Sequence, residues 1–231
     1  DVFLAYFQNT MLQMRDSKLP VIAAPVGMSI GGGFEVVLHA DHVVSHANSV
    51  MGLVESFVGV VPAGGGCKEM LYRWTEKLND TQKGAWKSFM NIGLGRKANS
   101  PQEADALAMR RADDVFQMNR DRILNIALSK LDDTKKASQR SPLALSGAEH
   151  FKEMLEWLEV NNKKGMLTPH DVTVGTEIGR IMSGGDCPAG TVFSEQEILD
   201  AERSSFITLA QTQETQARIV SMLDNGVTLR N

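Results

Sequence analysis

Glu35 and Glu55 stand twenty positions apart, and each lies beside a glycine-rich loop: Gly31-Gly32-Gly33 before the first, Pro62-Ala63-Gly64-Gly65-Gly66 after the second. Glycine lets backbone N–H groups approach a ligand closely. Two carboxylates near one water can divide acid and base roles, one removing a proton and the other donating one. Acidic residues also occur in first helical turns for reasons of charge alone. The neighbours argue for more than that. Glu35 sits between Gly33-Phe34 and Val36-Val37-Leu38, and Glu55 follows Met51-Gly52-Leu53-Val54. Burying a charge in such apolar runs is costly and needs a reason. A backbone N–H of the Gly31–Gly33 loop, aimed at a carbonyl oxygen, would make an oxyanion hole. No Lys-Ser pair follows, so the loop is not a phosphate-binding P-loop, and Gly93-Leu94-Gly95 follows no clear strand.

Other polar groups are weaker candidates. His39, His42 and His46 have helical spacing, with Glu35 one turn before His39, as a metal site would need. Asp41 and the valines after it instead read as the start of a strand, which points the three histidines different ways, so no metal is expected. Asp41 reads as a structural bridge, and His150 and His170 as solvated helix residues. The two cysteines, Cys67 and Cys187, show no metal or redox spacing. They point to reduced thiols in a cytoplasmic protein.

These groups need elements to place them. Phe3, Phe7, Met11 and Met14, with Leu4, give residues 2–17 an amphipathic helical face. Val21–Val26 reads as a buried strand, Gly27–Gly33 as a loop and Phe34–Ala40 as a short helix. Strands follow at 41–45 and 50–53. Val58–Val61 runs into the proline–glycine turn, and Cys67–Leu78 has helical spacing. Strand, glycine loop and helix in alternation predict an α/β core with ligands at strand ends. Beyond residue 80 the chain reads as helical: 81–90, 101–109 behind a capping box at Ser100–Glu103, 119–131, 147–160, 169–182, 195–210 behind a second box at Ser194–Glu197, and 213–224. Residues 132–143 read as an exposed connection and 184–190 as a loop. This divides the chain into a core, 1–100, and a mostly helical C-terminal region, 101–231.

The chain has 231 residues, 42% hydrophobic and 23% charged, in the ordinary range for a globular protein. A net charge of −4 offers no basic field for nucleic acid, and no apolar run is long enough to predict a membrane span. Asp1 opens directly into a helical pattern, as if cut from a longer chain.

Taken together, Pro20 to Gly27, Gly31-Gly32-Gly33-Phe34-Glu35, Asp41, Glu55, Gly59 to Pro62 and Gly65-Gly66 resemble the enoyl-CoA hydratase (crotonase) superfamily. The resemblance spans residues 20–72. It implies a partial crotonase-type core, with Glu35 and Glu55 as the catalytic pair of a true hydratase. Gly32, next to Gly31, would supply an oxyanion N–H. Ala63 stands where the family usually has glycine, and its N–H would help place the water or glutamate. Val54 replaces a usual proline and Cys67 a usual threonine. Met51 to Glu55, Pro62 to Leu71, Met118 to Arg122, Ser183 to Gly185 and the stretch from Glu202-Arg203 to Asn231 are similar to the last part of bacterial fusion proteins. These place a 3-hydroxyacyl-CoA dehydrogenase before a hydratase. The resemblance implies a role in fatty-acid β-oxidation and an acyl-CoA thioester substrate. It implies no cofactor in this chain, NAD in an upstream dehydrogenase part, and a homo-oligomer or β-oxidation complex. The second oxyanion donor would lie upstream, leaving the fragment alone with little activity. An enoyl-CoA isomerase and a non-catalytic assembly module are the alternative readings.

Overall fold

A computed structural model describes residues 1–136 and 138–231. In chain order the elements are α1 (Val2–Asp16), β1 (Ile22–Ala23), β2 (Met28–Ile30), α2 (Gly32–His39), β3 (His42–His46), β4 (Val50–Gly52), a 3-10 turn (Glu55–Val58), α3 (Gly66–Leu78) and α4 (Thr81–Gly93). There follow β5 (Lys97–Ala98), α5 (Pro101–Ala106), β6 (Val115–Gln117), a 3-10 turn (Arg120–Arg122), α6 (Ile123–Ser129), β7 (Leu143–Ala144), α7 (Gly147–Lys163), α8 (Pro169–Ser183), β8 (Val192–Phe193), α9 (Glu195–Ala210) and α10 (Gln213–Asn225). The fold is mixed α/β, with short sheets and a helical C-terminal region, as expected.

One sheet has the order β1-β3-β6, all parallel, with Ile22 opposite His42 and Val44 opposite Val115. A second has the order β2-β4-β5, in which β2 and β4 run parallel, Ile30 opposite Gly52. The loop expected over Gly27–Gly33 therefore contains a strand. Gly27 and Gly31 take positive φ, 117° and 57°, and the turns they make leave Met28–Ile30 extended between them. Gly31 N–H then donates to Gly52 O at 2.9 Å, locking the first glycine loop to the strand that leads to Glu55.

Helix α1 is present, and Leu4 and Met11 of the expected face are buried, but Gln8 and Arg15 complete its inner side in place of Phe3, Phe7 and Met14. Phe3 is 75% exposed. The polar Gln8 and Arg15 are buried because each finds partners: Gln8 donates to the Ala63 and Leu199 carbonyls, and Arg15 to Glu195. Helix α5 is shorter than expected and the 119–131 helix is split. At Ser100 only half of the capping box forms, because Glu103 accepts from Asn99 N–H instead. The box at Ser194 forms fully, and so does an unforeseen one at Thr168–Asp171. Within 132–143, residue 137 lies outside the described residues. A single hydrophobic cluster runs from Phe34, Leu38 and Met70 through Phe89 and Met154 to Ile178 and Leu209. The α/β layer and the α4–α7–α8–α9 layer thus share one interior. No helix among the described residues is long and apolar enough to cross a membrane.

Candidate active site

Glu35 lies in the first turn of α2 and is 3% exposed. Its Oε1 accepts from Gly64 N–H and Gly66 N–H, both at 2.8 Å. The second glycine loop therefore holds the carboxylate that follows the first. Side chains at Gly64 or Gly66 would collide with this carboxylate, and one at Gly64 would also strike the Phe7 ring. Burial pushes the Glu35 carboxyl up to about 7, against the two N–H donors and Lys68, which favour its ionised form.

Glu55 opens the 3-10 turn after β4. Both its carboxyl oxygens are buried without a hydrogen-bond partner among the described residues. Burial, and then the charge of Glu35, push it up to about 8, while the nearby N–H groups of Glu55 and Val54 oppose the rise. Its Oε1 lies 3.3 Å from where a Cβ on Gly31 would stand, and Glu35 Oε2 lies 4.0 Å from the corresponding point on Gly32. The two carboxyls therefore flank the Gly31–Gly32 pair. Gly32 is the first residue of α2, where an N–H has no intrahelical acceptor. That donor is free for a ligand oxygen. Ala63 is buried, and its carbonyl takes the Gln8 amide.

Three contributors were not foreseen. Phe7, half-buried on α1, lays its ring against Gly32 and Gly64. Its spacing resembled that of a core residue. Glu202 of α9 is fully buried, and its oxygens accept from Gly65 N–H at 2.8 Å and Lys68 N–H at 2.6 Å, capping α3 behind the glycine loop. Burial and then Glu35 push the Glu202 carboxyl well up. Lys68, also fully buried, reaches His39 Nε2 at 3.0 Å, Glu195 at 2.7 Å and Glu69 at 2.9 Å. Lysine only donates, so His39 Nε2 accepts and its Nδ1–H donates to the Glu35 carbonyl at 2.8 Å. Burial holds His39 neutral, down to about 4.

The other histidines separate, as the strand reading required. His46 bonds the Met118 carbonyl. His42 Nδ1 stands 4.0 Å from Asp113 and 3.9 Å from Asp114. These three could present ligand atoms to a cation, although both Asp114 oxygens already accept backbone N–H groups. Asp41 bridges, accepting from Val21 N–H and Lys136. His150 and His170 are not solvated: each is 4% exposed. Ser146 and the Trp86 ring enclose the first, and Thr215 pairs with the second. Burial lowers both histidines.

The family model described as enoyl-CoA hydratase/isomerase matches residues 1–77. Residues 1–77 thus resemble that family, and the fold is similar to that of solved enoyl-CoA hydratases. An enoyl-CoA hydratase from Rhodobacter sphaeroides 2.4.1 superimposes with a TM-score of 0.62 at 18% identity, over 99% of this chain and 68% of that one. A carnitinyl-CoA hydratase from Mycobacterium avium gives 0.52 at 16% identity, over 89% and 60%. The "Probable 3-hydroxyacyl-CoA dehydrogenase" of Bacillus subtilis (strain 168) is 32% identical over all of this chain and 30% of its own length. A Rickettsia prowazekii protein named for a fatty acid oxidation complex trifunctional enzyme is 26% identical over 94% of this chain and 28% of its own length. The chain thus spans under a third of the curated relatives it matches.

Proposed function

We propose that this chain supplies the two acid/base glutamates of an enoyl-CoA hydratase, which adds water to a trans-2-enoyl-CoA to give a 3-hydroxyacyl-CoA. The observation that carries the reading is the convergence of two buried carboxyls on Gly31–Gly32 with unlike surroundings. Glu35 has two N–H donors that stabilise its anion, which suits the base. Glu55 has only the N–H groups of its own turn nearby, and burial and then the charge of Glu35 push it up, which suits the acid. Glu35 takes a proton from water as the hydroxyl bonds to Cβ. Glu55 gives its proton to Cα. A proton then passes from Glu35 to Glu55 to restore the pair. Gly32 N–H stabilises the enolate charge that develops on the thioester oxygen. The much longer relatives, one named as a dehydrogenase, support a further reading: the chain serves inside a larger β-oxidation enzyme whose NAD-dependent part lies elsewhere in the polypeptide.

The test is hydration of crotonyl-CoA by the full-length protein, followed by loss of the conjugated thioester's ultraviolet absorbance. Glu35→Gln and Glu55→Gln should each lower kcat by about 10²–10⁴-fold. Near-normal rates in both would remove the mechanism. Double-bond migration from a 3-enoyl-CoA without hydration would assign an isomerase. Inertness of the full-length protein toward both thioesters would leave an assembly module.

A further inference from the structure

Glu55 poses a positioning problem that Glu35 does not. Glu35 is held at its carboxylate by two backbone donors. The Glu55 carboxyl meets no side-chain donor and no backbone donor from another loop among the described residues; only the N–H groups of Glu55 itself and Val54 lie near it. Its direction is set by the backbone of the 3-10 turn from which it projects. The turn's own bonds are Phe57 N–H to Val54 O at 3.1 Å, Gly59 N–H to Ser56 O at 3.1 Å and Val60 N–H to Glu55 O at 3.2 Å.

A further restraint comes from α10, 156 and 162 positions away in sequence. Arg218 of α10, 2% exposed, donates from Nη1 to the same Ser56 carbonyl at 3.2 Å. Thr215, one turn earlier on α10 and fully buried, donates its hydroxyl to the Gly59 carbonyl at 2.7 Å. That hydroxyl has one proton, and it is spent on Gly59. The 2.8 Å contact between Thr215 Oγ1 and His170 Nε2 must therefore be a donation from the imidazole. Burial, and then Arg218, keep His170 neutral, consistent with one ring proton at Nε2. Arg218 is anchored in turn by Asp171 at 2.9 Å, Thr168 Oγ1 at 3.1 Å and Asn231 Oδ1 at 2.7 Å. The Ser56 carbonyl within the turn and the Gly59 carbonyl at its end are thus tied to α10, and α10 is tied to the capped start of α8.

We propose that Thr215 and Arg218 of α10, backed by His170 of α8, are positioning residues for Glu55, fastening the turn that aims its carboxyl at the Gly31–Gly32 pair. The inference rests on the hydratase reading for its kinetic consequence, but not for its geometry. Thr215→Val keeps the side chain's shape and removes the hydroxyl that joins His170 to Gly59. The turn is then free to drift, and misplacement of an acid by about 1 Å costs up to about a hundredfold in rate.

The experiment uses the full-length protein with Thr215→Val, Thr215→Ser and Arg218→Met, each first shown to be folded by its thermal transition. On crotonyl-CoA, Thr215→Val should lower kcat about ten- to a hundredfold with KM unchanged, and Thr215→Ser should restore it. A merely structural hydroxyl would lower the transition temperature and leave kcat alone. In parallel, the Glu55 titration is read from the pH-dependent carboxyl shift of ¹³C-labelled glutamate. Loosening the turn should bring it from about 8 toward the ordinary carboxylate range. Folded Thr215→Val and Arg218→Met proteins with wild-type kcat and an unmoved Glu55 titration would overturn the proposal. If the wild-type protein fails to hydrate crotonyl-CoA, the hydratase reading falls. The titration then decides alone: a moved value supports the positioning role and an unmoved one refutes it.

Discussion

At the scale of residues, a buried carboxyl stays ionised where cations face it, as Glu69 does beside Lys68 and Arg140 against the effect of burial, and is pushed up where none does. Glu55 is the clearest case of the second kind, with a folded value of about 8 against the ordinary 4.5. A carboxyl raised in this way favours the fold when neutral. Its contribution is fully present below the unfolded value and is lost as pH rises through the folded value, so the window runs from about 4.5 to about 8. Glu55→Gln abolishes the ionisation while keeping the shape. The variant should therefore melt higher than wild type at pH 9, by on the order of a few kcal/mol, and lose that advantage near pH 4. Thermal melts across this range measure it. A difference that stays constant with pH would show that Glu55 ionises as freely in the fold as in the unfolded chain.

At the scale of elements, the α3 start organises the site, because Gly64, Gly65 and Gly66 turn their N–H groups to two different carboxyls. Gly64 and Gly66 serve Glu35, while Gly65 and Lys68 are served by Glu202. Glu202→Ala would leave two buried donors unpaired and should destabilise the protein by about 2–4 kcal/mol. Denaturant midpoints, with faster amide exchange at Gly65 and Lys68, would register it; unchanged protection at those two amides would show that Glu202 is dispensable. Little of this could be read along the chain. The Glu35 and Glu55 environments were legible because apolar neighbours and glycine runs are local signals, and α9 was legible from its Ser194 cap. The β2 strand was hidden by flanking glycines, whose composition reads as loop although their turns are what free Met28–Ile30 to pair. The inner face of α1 was legible in part, through Leu4 and Met11, but Gln8 and Arg15 complete it instead of Phe3 and Phe7 because they have partners inside. Glu202, His150 and His170 gave no local sign at all. Glu202 and His170 find their partners 137 and 45 positions away and His150 packs on the Trp86 ring, and a polar helix residue looks solvated until the opposing element is known.

At the scale of the whole molecule, the helical C-terminal region is part of the site's support. The common interior runs without a break from Phe34 in α2 to Leu209 in α9. Polar ties repeat the pattern: Glu195 holds Arg15 and Lys68, Glu202 caps α3, and Thr215 and Arg218 hold the Glu55 turn. A chain ending at residue 194 would lose all of these at once. It would leave Lys68 buried with fewer counter-charges, Gly65 N–H unpaired and Ile178 uncovered by α9. Each deficit alone is of the size that separates stable from unstable small domains. Residues 1–194 should therefore show no cooperative thermal transition and should bind a hydrophobic dye, where residues 1–231 melt in a single step. A sharp transition for 1–194 at the temperature of 1–231 would mean that the last two helices are an accessory to an independently folded core. In that case the positioning of Glu55 would have to be sought within the turn itself.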